Sequence, residues 1–530
     1  MRLLGILLSL MVFGGCQPEP AELRNTMCLD DFYDRSYINN NIARGGAFFG
    51  EGRFQFLSYY DIHGDVVVIR RNLQTGNVEK DRIPAGMSTM TGDSSSLRNP
   101  HNFISGGLDA DGYIHLILGA HNSKPRHYVS GGPLVLGGWR EIGDWIEREG
   151  HRITYPYLVR GPDRDLWLFY RNGRSGYGST YVVRGMVADA ARIRPELLID
   201  GRNGAALNPT TLKYRDRWPG LEIDPRYENS QYLFAPVFSA DGCLHLAWTW
   251  RLSNFSREQD NPWRKKFFQG VTNRDIAYAR TCDKGGSWTD SAGLPYSLPL
   301  TRFGDQGSSP PEVIDRIDIG TSFFNHYGSD TDSASHPHYV YHHWDRQRRT
   351  QIWHLFHDGR RWVKQQVSRY ERDIPWNRHQ ASGLAGNGLA RPEILTNPRD
   401  DSLLVATRSE IFGNVLELYR ARSPYRHWIM ELIDTGSLGS WEPQIDKRLY
   451  REQGRLQLLL NTVRDQDAYE SFDLRPTPNQ QQILEQAGRG QAVDYPDYTI
   501  LSPVTPYRLT TGGARFPDSN ACVTDLLLRE

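Results

Sequence analysis

The sequence has no net charge, few cysteines and almost no helical periodicity. Its 530 residues include 62 basic and 62 acidic side chains but only five cysteines. A balanced charge excludes the global positive field of a typical nucleic-acid binder, so an acidic ligand would have to meet a local cluster of basic groups. What the chain has instead is 12% aromatic residues and 50 glycines, a composition that favours many short strands and turns.

Long apolar runs are missing beyond the start of the chain, so no later segment is expected to cross a bilayer. Arg2, the apolar residues 3–13 and the sequence Phe13-Gly14-Gly15-Cys16 are typical of a bacterial lipoprotein signal peptide. An ordinary secretory signal cut elsewhere is the alternative. Lipidation of Cys16 would anchor the exported protein to the bacterial outer membrane, on its periplasmic face or at the cell surface. The predicted segments are a signal peptide (1–15), a polar tether and first strand region (16–45), and a catalytic domain (46–530).

Pairs of strands recur along the chain, several of them joined by polar turns such as Asp109-Ala110-Asp111-Gly112. Small antiparallel sheets that repeat in this way are typical of a β-propeller. A parallel β-helix is the alternative, but its repeats are shorter and more regular. The stretch from Thr281 to Trp288 matches the Asp-box pattern Ser/Thr-x-Asp-x-Gly-x-x-Trp, in which Asp and Gly shape a turn and Trp packs between strands. We therefore predict an all-β fold, a seven-bladed β-propeller of four-stranded antiparallel blades.

Two histidines are expected at the end of one hairpin. With its turn centred near Ala110 and Asp111, His101 lies opposite Ala120 and beside His121. Imidazole takes up and releases protons near neutral pH, so the pair is a candidate acid–base site. His115, in the middle of a strand, is better explained as a packed and hydrogen-bonded histidine.

The next hairpin repeats this construction with Tyr155 opposite Arg171. In a propeller, the start of a blade's first strand and the end of its second open on the same face, so these two hairpin ends are expected to share a solvated rim. By the same rule Arg251 and Asn229 of the following blade face it, and His343 is expected there too. A cleft lined by Arg, His and Tyr suits an anionic sugar.

Several stretches resemble the propeller polysaccharide lyases that degrade ulvan, a sulfated algal polysaccharide of rhamnose and uronic acid. They are NPHN (99–102), GYIHLILGAHN (112–122), TYP (154–156), YRNGRSG (170–176) and DGCLHLAWTWR (241–251). The resemblance implies a seven-bladed propeller that cleaves next to glucuronate or iduronate. It also implies catalytic roles for His101, His121 and Tyr155, with Arg171 as the carboxylate-binding residue. Asn102, Asn229, Arg251 and His343 are expected to bind substrate.

The chemistry of such a lyase fits these side chains. An Arg that binds the uronate carboxylate through two hydrogen bonds stabilises the enolate that forms when the C5 proton leaves. A neutral His takes that proton and a Tyr hydroxyl donates one to the departing oxygen. Because Arg171 would offset the carboxylate charge, no catalytic cofactor is expected. The expected partner is anionic ulvan and not nucleic acid, and we expect the protein to be a monomer.

Two other functions compete with this hypothesis. A propeller glycoside hydrolase, sialidase-like or rhamnosidase-like, would need a pair of carboxylates or a Tyr–Glu nucleophile in the cleft. A non-catalytic carbohydrate-binding propeller would need aromatic and polar groups but no acid–base pair. The residues placed in the cleft are His, Tyr and Arg, which favours the lyase.

Four cysteines remain in an exported and therefore oxidised protein. Cys243 and Cys282 face one another in the predicted hairpin, where they form either a disulfide or two ligands of a structural zinc. His245 lies on the same strand face as Cys243 and would be a third ligand. We favour zinc over the disulfide here. Cys28 and Cys522 are expected to join the two ends of the chain.

Overall fold

The computed structural model describes residues 22–34, 37–40, 42, 44–46, 48–83, 97, 99–174, 177–201, 212–214, 221–223, 230–251, 273–304, 307–319, 321–374, 388–433, 435–462, 493–495, 498–501 and 521–527. The predicted signal peptide and Cys16 lie outside these residues. Seven antiparallel sheets follow one another around a central channel, which confirms the predicted seven-bladed β-propeller. In this described part of the chain, the helices are too short and too polar to traverse a bilayer.

The first three blades follow a short N-terminal strand, β1 (Glu22–Leu29). Blade 1 is formed by β2 (Phe48–Glu51), β3 (Phe54–Tyr60), β4 (Val66–Asn72) and β5 (Val78–Ile83). Blade 2 contains β6 (Ser105–Leu108) and β7 (Ile114–Leu118), then β9 (Arg126–Val129) and β10 (Arg140–Glu141), followed by helix α1 (Asp144–Arg148). Blade 3 is formed by β11 (Ile153–Arg160), β12 (Leu166–Arg174), β13 (Tyr177–Val183) and β14 (Pro195–Ile199). Its sheet also includes the short strand β8 (His121–Ser123), which lies between β7 and β9 in the sequence.

The remaining blades follow a separate hairpin of β15 (Leu212–Tyr214) and β16 (Leu221–Ile223). Blade 4 contains β17 (Ser230–Leu233), β18 (Val237–Phe238), β19 (Leu244–Arg251), β20 (Asn273–Thr281) and β21 (Glu312–Asp315). Blade 5 contains β22 (Ser329–Thr331), β23 (Pro337–Trp344), β24 (Thr350–His357) and β25 (Trp362–Gln366). Blade 6 contains β26 (Glu393–Thr396), β27 (Leu403–Arg408), β28 (Leu416–Ala421) and β29 (Ile429–Ile433). Blade 7 follows helix α2 (Lys447–Gln453) and contains β30 (Leu456–Asn461) and, from the end of the chain, β33 (Ala521–Leu527). The two strands between them, β31 (Val493–Tyr495) and β32 (Tyr498–Leu501), extend the sheet of blade 6.

The two ends of the chain close the ring in blade 7. Strand β1 pairs antiparallel with β33, which pairs in turn with β30. Cys28 lies opposite Cys522 in this ladder and the two form a disulfide, as predicted. Because β1 lies within residues 16–45, which were assigned to the tether and first strand region, the propeller begins before residue 46.

Each blade is packed between two others, so both faces of its middle strands are buried, whereas outer strands such as β5 and β10 are largely exposed. In β7 all five residues are buried, although His115 is among them. Trp145 Nε1 donates to His127 Nδ1 (3.0 Å), so the hydrogen of the His127 ring is on Nε2, which donates to His115 Nδ1 (2.9 Å). The hydrogen of the His115 ring is therefore on Nε2, which donates to Asp109 Oδ2 (3.1 Å). Every nitrogen of the two rings is thereby paired, which confirms His115 as a packed, hydrogen-bonded histidine.

The Asp-box forms the turn that its pattern predicts. Asp283 Oδ1 accepts from Thr281 Oγ1 (2.9 Å) and from the backbone N–H of Ser287 (2.8 Å). Gly285 has a φ of +82°, the left-handed region that favours glycine. Trp288 is buried in the core between blades 3 and 4. The motif is therefore structural in this chain.

The zinc prediction for the middle cysteines is wrong. Cys243 and Cys282 are joined in a disulfide across the β19–β20 hairpin, so neither sulfur can act as a thiolate ligand. The ring of His245 is instead bonded to the Tyr278 hydroxyl (2.7 Å) and to Ser239 Oγ (3.0 Å). The described residues contain no cluster of three or more His, Cys, Asp or Glu that could hold a metal ion.

Candidate active site

The two predicted histidines meet at one face of the propeller. His101 lies in a 3₁₀ turn (Pro100–Asn102) directly before β6, the first strand of blade 2. His121 begins β8, which leaves blade 2 and pairs with β11 of blade 3. The two rings stack with their centroids 4.0 Å apart and their planes 10° apart. The crossing of β8 between two blades therefore brings His121 to the strand that carries Tyr155.

Tyr155 reaches the site through a β-bulge, which the sequence did not predict. In the β11–β12 ladder Arg171 lies opposite Thr154, not opposite Tyr155, and the register shifts between Thr154 and Tyr157. Tyr155 itself has a φ of +54°, uncommon for a residue other than glycine. Bulges of this kind re-aim a side chain, and they occur often beside active sites. The Tyr155 ring lies 5.6 Å from that of His101.

Two guanidinium groups lie beside this tyrosine. The Arg171 guanidinium carbon is 5.0 Å from the ring of Tyr155 and 4.8 Å from the ring of Tyr232. Arg251 also stacks on Tyr232, at 4.7 Å, and its Nη1 donates to the Tyr232 hydroxyl (2.7 Å). Arg171 donates to Ser230 Oγ (3.4 Å) and to the Gly173 carbonyl (3.3 Å). No carboxylate of a described residue lies within ion-pair distance of Arg171, so its charge is available to an anionic ligand.

The site is more enclosed than a solvated rim, so that expectation is wrong for three of the four residues. His101, Tyr155 and Arg171 are 4%, 6% and 5% exposed, because neighbouring blades cover them. Only His121 is exposed to solvent. A ligand that contacts the buried side chains would therefore displace water from a partly closed cleft, where electrostatic interactions are strengthened.

Burial and the two cations set the protonation states. Burial, followed by the neighbouring His121 and His326, lowers the pKa of His101 well below its ordinary value. His121 is open to solvent on its surface but is surrounded by neighbouring protein groups, and this partial desolvation, followed by the charge of Arg171, lowers its pKa to about 4. Burial, followed by the neighbouring Tyr232, raises the pKa of Tyr155 well above its ordinary value. At neutral pH the site therefore holds two uncharged imidazoles, a protonated phenol and two cations.

Three of the other four predicted binding residues, Asn102, Arg251 and His343, lie in the part of the chain that the structure describes. Asn102 lies beside His101, is buried, and accepts a hydrogen bond from Tyr60 through its carbonyl (2.8 Å). Arg251 lies opposite Ser230, and Asn229 is outside the described residues. His343 belongs to blade 5, where its ring packs edge-on against Trp353.

Sequence reasoning missed Tyr232 and His326. Tyr232, in the first strand of blade 4, could have been found by the rule that selected Tyr155. His326 precedes blade 5 in a segment without a strand partner, so no pattern marks it. Its ring lies 4.2 Å from that of Tyr155, and its Nδ1 is 2.7 Å from the Tyr157 hydroxyl. It therefore packs directly behind the candidate proton donor.

Asn99 was also missed as a site residue, although it belongs to the NPHN stretch. Its side chain contacts both histidines of the site, and its Oδ1 caps the 3₁₀ turn that holds His101. An Asn directly before a Pro-initiated turn is a recognisable capping signal. The second contact, to His121, depends on the tertiary fold.

A buried ion pair supports this arrangement through the residue that precedes His326. Arg391 Nη1 lies 2.8 Å from Glu442 Oε1, and both side chains are fully buried. Arg391 Nε donates to the carbonyl of Asn325 (2.8 Å), which positions the residue directly before His326. The same cation contributes to lowering the pKa of His326, after burial.

A cavity of about 560 Å³ opens elsewhere, at the other end of the inner strands. Its lining includes Glu51, Arg160 and Lys447, and none of the predicted catalytic residues. Most of its charged groups are already paired, as Arg160 is with Glu51 (2.6 Å) and Lys447 with Glu393 (2.6 Å). The residues suited to proton transfer therefore lie outside this cavity, at the opposite face.

The fold and one family are recognisable among known proteins. A family described as BNR repeat-containing family members matches residues 54–370. No curated protein matches the sequence. A solved structure described as an ulvan lyase of a new polysaccharide lyase family is 16% identical, with a TM-score of 0.55, over 76% of this chain and 86% of that one.

Two further structures are similar over more of the chain. One, described in the same words and bound to a GlcA(1-4)Rha3S repeat, is 15% identical, with a TM-score of 0.57, over 83% of this chain and 94% of that one. The polysaccharide lyase Uly1 is 12% identical, with a TM-score of 0.56, over 96% of this chain and 100% of that one. At such identities the likeness establishes a shared fold.

Proposed function

The chain belongs to the BNR repeat-containing family, and on this propeller we propose a polysaccharide lyase that cleaves ulvan by β-elimination next to glucuronate or iduronate. What supports the assignment is one observation, the meeting of Arg171 with a neutral His101 and a protonated Tyr155 at one face. These are the three groups that β-elimination at a uronate needs: a cation, a base and an acid.

Arg171 would bind the uronate carboxylate. Its guanidinium is held between two tyrosine rings and has no carboxylate partner among the described residues. Two parallel hydrogen bonds to the substrate carboxylate offset its charge, which lowers the cost of removing the proton from C5. As negative charge develops on the carboxylate oxygens, the same two hydrogen bonds strengthen.

Proton transfer would then use His101 and Tyr155. His101 takes the C5 proton and becomes cationic, and the electron pair of the C5–H bond forms the C4–C5 double bond. The C4–O bond breaks, and the Tyr155 hydroxyl donates its proton to the departing oxygen. The products are an unsaturated uronyl end and a new hydroxyl end. A proton returned from His101 or solvent restores Tyr155.

Several neighbours would bind the rest of the chain. Arg251 offers a second cation for carboxylate or sulfate, and Asn102, Asn229 and His343 would contact sugars along the cleft. A structurally similar lyase is bound to a GlcA(1-4)Rha3S repeat, which supports a sulfated, uronate-containing substrate. No catalytic cofactor is needed in this scheme.

A single assay tests the function. Purified protein is incubated with ulvan while ultraviolet absorbance of unsaturated uronate and new reducing ends are both followed. A lyase raises both signals together. Reducing ends without the absorbance mean a hydrolase, and binding without either signal means a carbohydrate-binding propeller. Either of these two results would reject the proposal.

We also propose that the protein is an exported monomer anchored by a lipid on Cys16. One lipidated cysteine is the only membrane attachment that the sequence suggests. Cys16→Ser should therefore move the protein from the membrane fraction to the soluble fraction, and sedimentation of the variant with membranes would contradict the anchor.

A further inference from the structure

The orientation of the Asn99 side chain is determined by a backbone donor. Its Oδ1 lies 3.2 Å from the backbone nitrogen of His101, which can only donate. The amide oxygen must therefore be on the side of His101, and the amide nitrogen on the other side. This removes the usual ambiguity between the two ends of an asparagine side chain.

The amide then assigns a proton to each histidine. His101 Nδ1 lies 2.8 Å from Asn99 Oδ1, an atom that can only accept, so His101 Nδ1 carries the hydrogen. His121 Nδ1 lies 2.7 Å from Asn99 Nδ2, an atom that can only donate, so His121 Nδ1 carries the lone pair. Both rings are neutral at neutral pH, so each carries one hydrogen. His101 Nε2 therefore has a lone pair, and His121 Nε2 has a hydrogen.

We propose that Asn99 is a positioning residue that holds the stacked histidines in opposite tautomers. His101 presents a lone pair on Nε2, the form required of a base, while His121 presents an N–H on Nε2, the form that donates to an anionic substrate group. The catalytic consequence rests on the proposed function, whereas the tautomers themselves do not.

Capping alone does not account for an asparagine here. A cap of the 3₁₀ turn needs only an acceptor, and Asp or Ser would supply one equally well. The matching turn Ala190–Arg192 is capped in this way by Asp189, whose Oδ1 accepts from the backbone N–H of Ala191 (2.9 Å). Only the contact to His121 requires an amide nitrogen.

The distinguishing variant is Asn99→Asp. It keeps the cap and the acceptor for His101 Nδ1, but it replaces the donor that faces His121 with a second acceptor. His121 should therefore acquire a hydrogen on Nδ1, while His101 keeps its own. Full-length protein labelled with ¹⁵N-histidine reports this directly, because protonated and unprotonated ring nitrogens resonate in separate regions. His101→Gln and His121→Gln identify the two signals.

The expected result is His101 in the Nδ1–H form and His121 in the Nε2–H form in the wild-type protein, with His121 alone changed in Asn99→Asp. Turnover of ulvan by Asn99→Asp should fall by about 10²-fold, the lower end of what a positioned acid or base supplies, with a smaller change in KM. Asp189→Ala is the matched control, since it removes a cap of the same geometry and should change neither ring nor turnover.

Three results would overturn the proposal. They are a wild-type His121 protonated on Nδ1, an Asn99→Asp variant with unchanged tautomers, and a variant whose tautomer changes while its turnover does not. If the wild-type tautomers are as stated but the protein leaves ulvan intact, the proposed function fails and the tautomer assignment remains.

Discussion

At the scale of single residues, Arg171 combines a charge with a fixed orientation. It is held between Tyr155 and Tyr232 and bonded to Ser230, so its planar fork is preorganised for a carboxylate. Lysine at this position keeps the charge but loses the fork and the stacking. An Arg-to-Lys change here is therefore a specific test of carboxylate binding.

Arg171→Lys is expected to lower kcat for ulvan by about 10²–10³-fold, the usual effect of removing a preorganised donor to a developing oxyanion. Arg184→Lys is the control, because Arg184 belongs to the same blade and pairs with Glu196 at the surface. Initial rates of absorbance increase measure both. Equal rates for wild-type protein and Arg171→Lys would remove Arg171 from the mechanism.

Tyr155→Phe isolates the phenolic proton, because the ring that packs on His326 and Arg171 remains. We expect kcat to fall by about 10²–10⁴-fold, the contribution of a positioned acid, with an unchanged unfolding temperature. Combined with His101→Gln, the loss should be far smaller than the product of the single losses, because both groups act in one step.

Tyr128→Phe is a suitable control for Tyr155→Phe. The hydroxyl of Tyr128, in blade 2, is buried and has no hydrogen-bond partner among the described residues, so its removal should leave turnover unchanged. An active Tyr155→Phe protein would leave the two histidines to share the proton transfers.

The pKa values of the histidines predict activity under mildly acidic conditions. A lowered pKa means that protonation occurs only at lower pH, and partial desolvation with the charge of Arg171 brings the pKa of His121 to about 4. The pKa of His101, the proposed base, is also lowered well below its ordinary value, first by burial and then by the neighbouring His121. Turnover should therefore stay nearly constant as the pH falls from about 8 through about 6.5, and be lost only at clearly lower pH. A profile of kcat against pH checks this. Loss of activity centred near pH 6.5, the ordinary pKa of histidine, would show that the site is more solvated than the structure has it.

At the scale of elements, the predicted register of the β11–β12 hairpin differs from the observed one by one residue. The sequence places Tyr155 opposite Arg171, whereas the ladder pairs Arg171 with Thr154. A shift of one residue turns a side chain to the other face of a strand. At Tyr155 the bulge compensates for this shift, so the phenol still reaches Arg171.

The Asp-box turn contributes to stability and contains none of the proposed catalytic residues, so its contribution can be tested separately from activity. Asp283 accepts from Thr281 Oγ1, Ser287 N and Ser287 Oγ, and these hydrogen bonds lower its pKa. Asp283→Ala should lower the free energy of unfolding by about 1 kcal/mol, since the turn is exposed to solvent. The midpoint of urea unfolding reports this loss.

The effect of Asp283→Ala should be confined to stability, with kcat unchanged. Asp290→Ala removes one backbone hydrogen bond, from Leu294, and should cost less. Equal losses in the two variants would contradict a special role of the Asp-box carboxylate.

At the scale of the whole molecule, two disulfides constrain the unfolded chain very differently. Cys28 and Cys522 are separated by 494 residues and close the ring, whereas Cys243 and Cys282 are separated by 39 and close one hairpin. In the chain-entropy account, the longer loop gives the greater stabilisation.

Removal of the ring-closing disulfide should therefore destabilise the protein more. We expect Cys28→Ser with Cys522→Ser to cost roughly 2 kcal/mol more than Cys243→Ser with Cys282→Ser. Guanidinium unfolding under non-reducing conditions measures both. Blade 7 contributes none of the proposed catalytic residues, so the folded variant with Cys28→Ser and Cys522→Ser should turn over ulvan at the wild-type rate. A greater loss of stability in the variant with Cys243→Ser and Cys282→Ser would contradict the loop-length account.

The sequence by itself determined the fold class, the seven repeats and the clustering of His101, His121, Tyr155 and Arg171. These follow from turn residues and apolar runs, whose effect is local and therefore legible in a short stretch of chain. The Asp-box turn and the packed His115 were predictable for the same reason.

Only the tertiary structure decided which groups complete the site. His326 reaches Tyr155 across 171 residues of sequence, and the ring of Tyr232 comes from the next blade. The bulge at Tyr155, the entry of β1 into blade 7 and the disulfide in place of zinc likewise depend on how blades pack and strands pair. Such contacts depend on the sum of many interactions between residues far apart in the sequence. The residues next to each contact in the sequence therefore do not determine its partner.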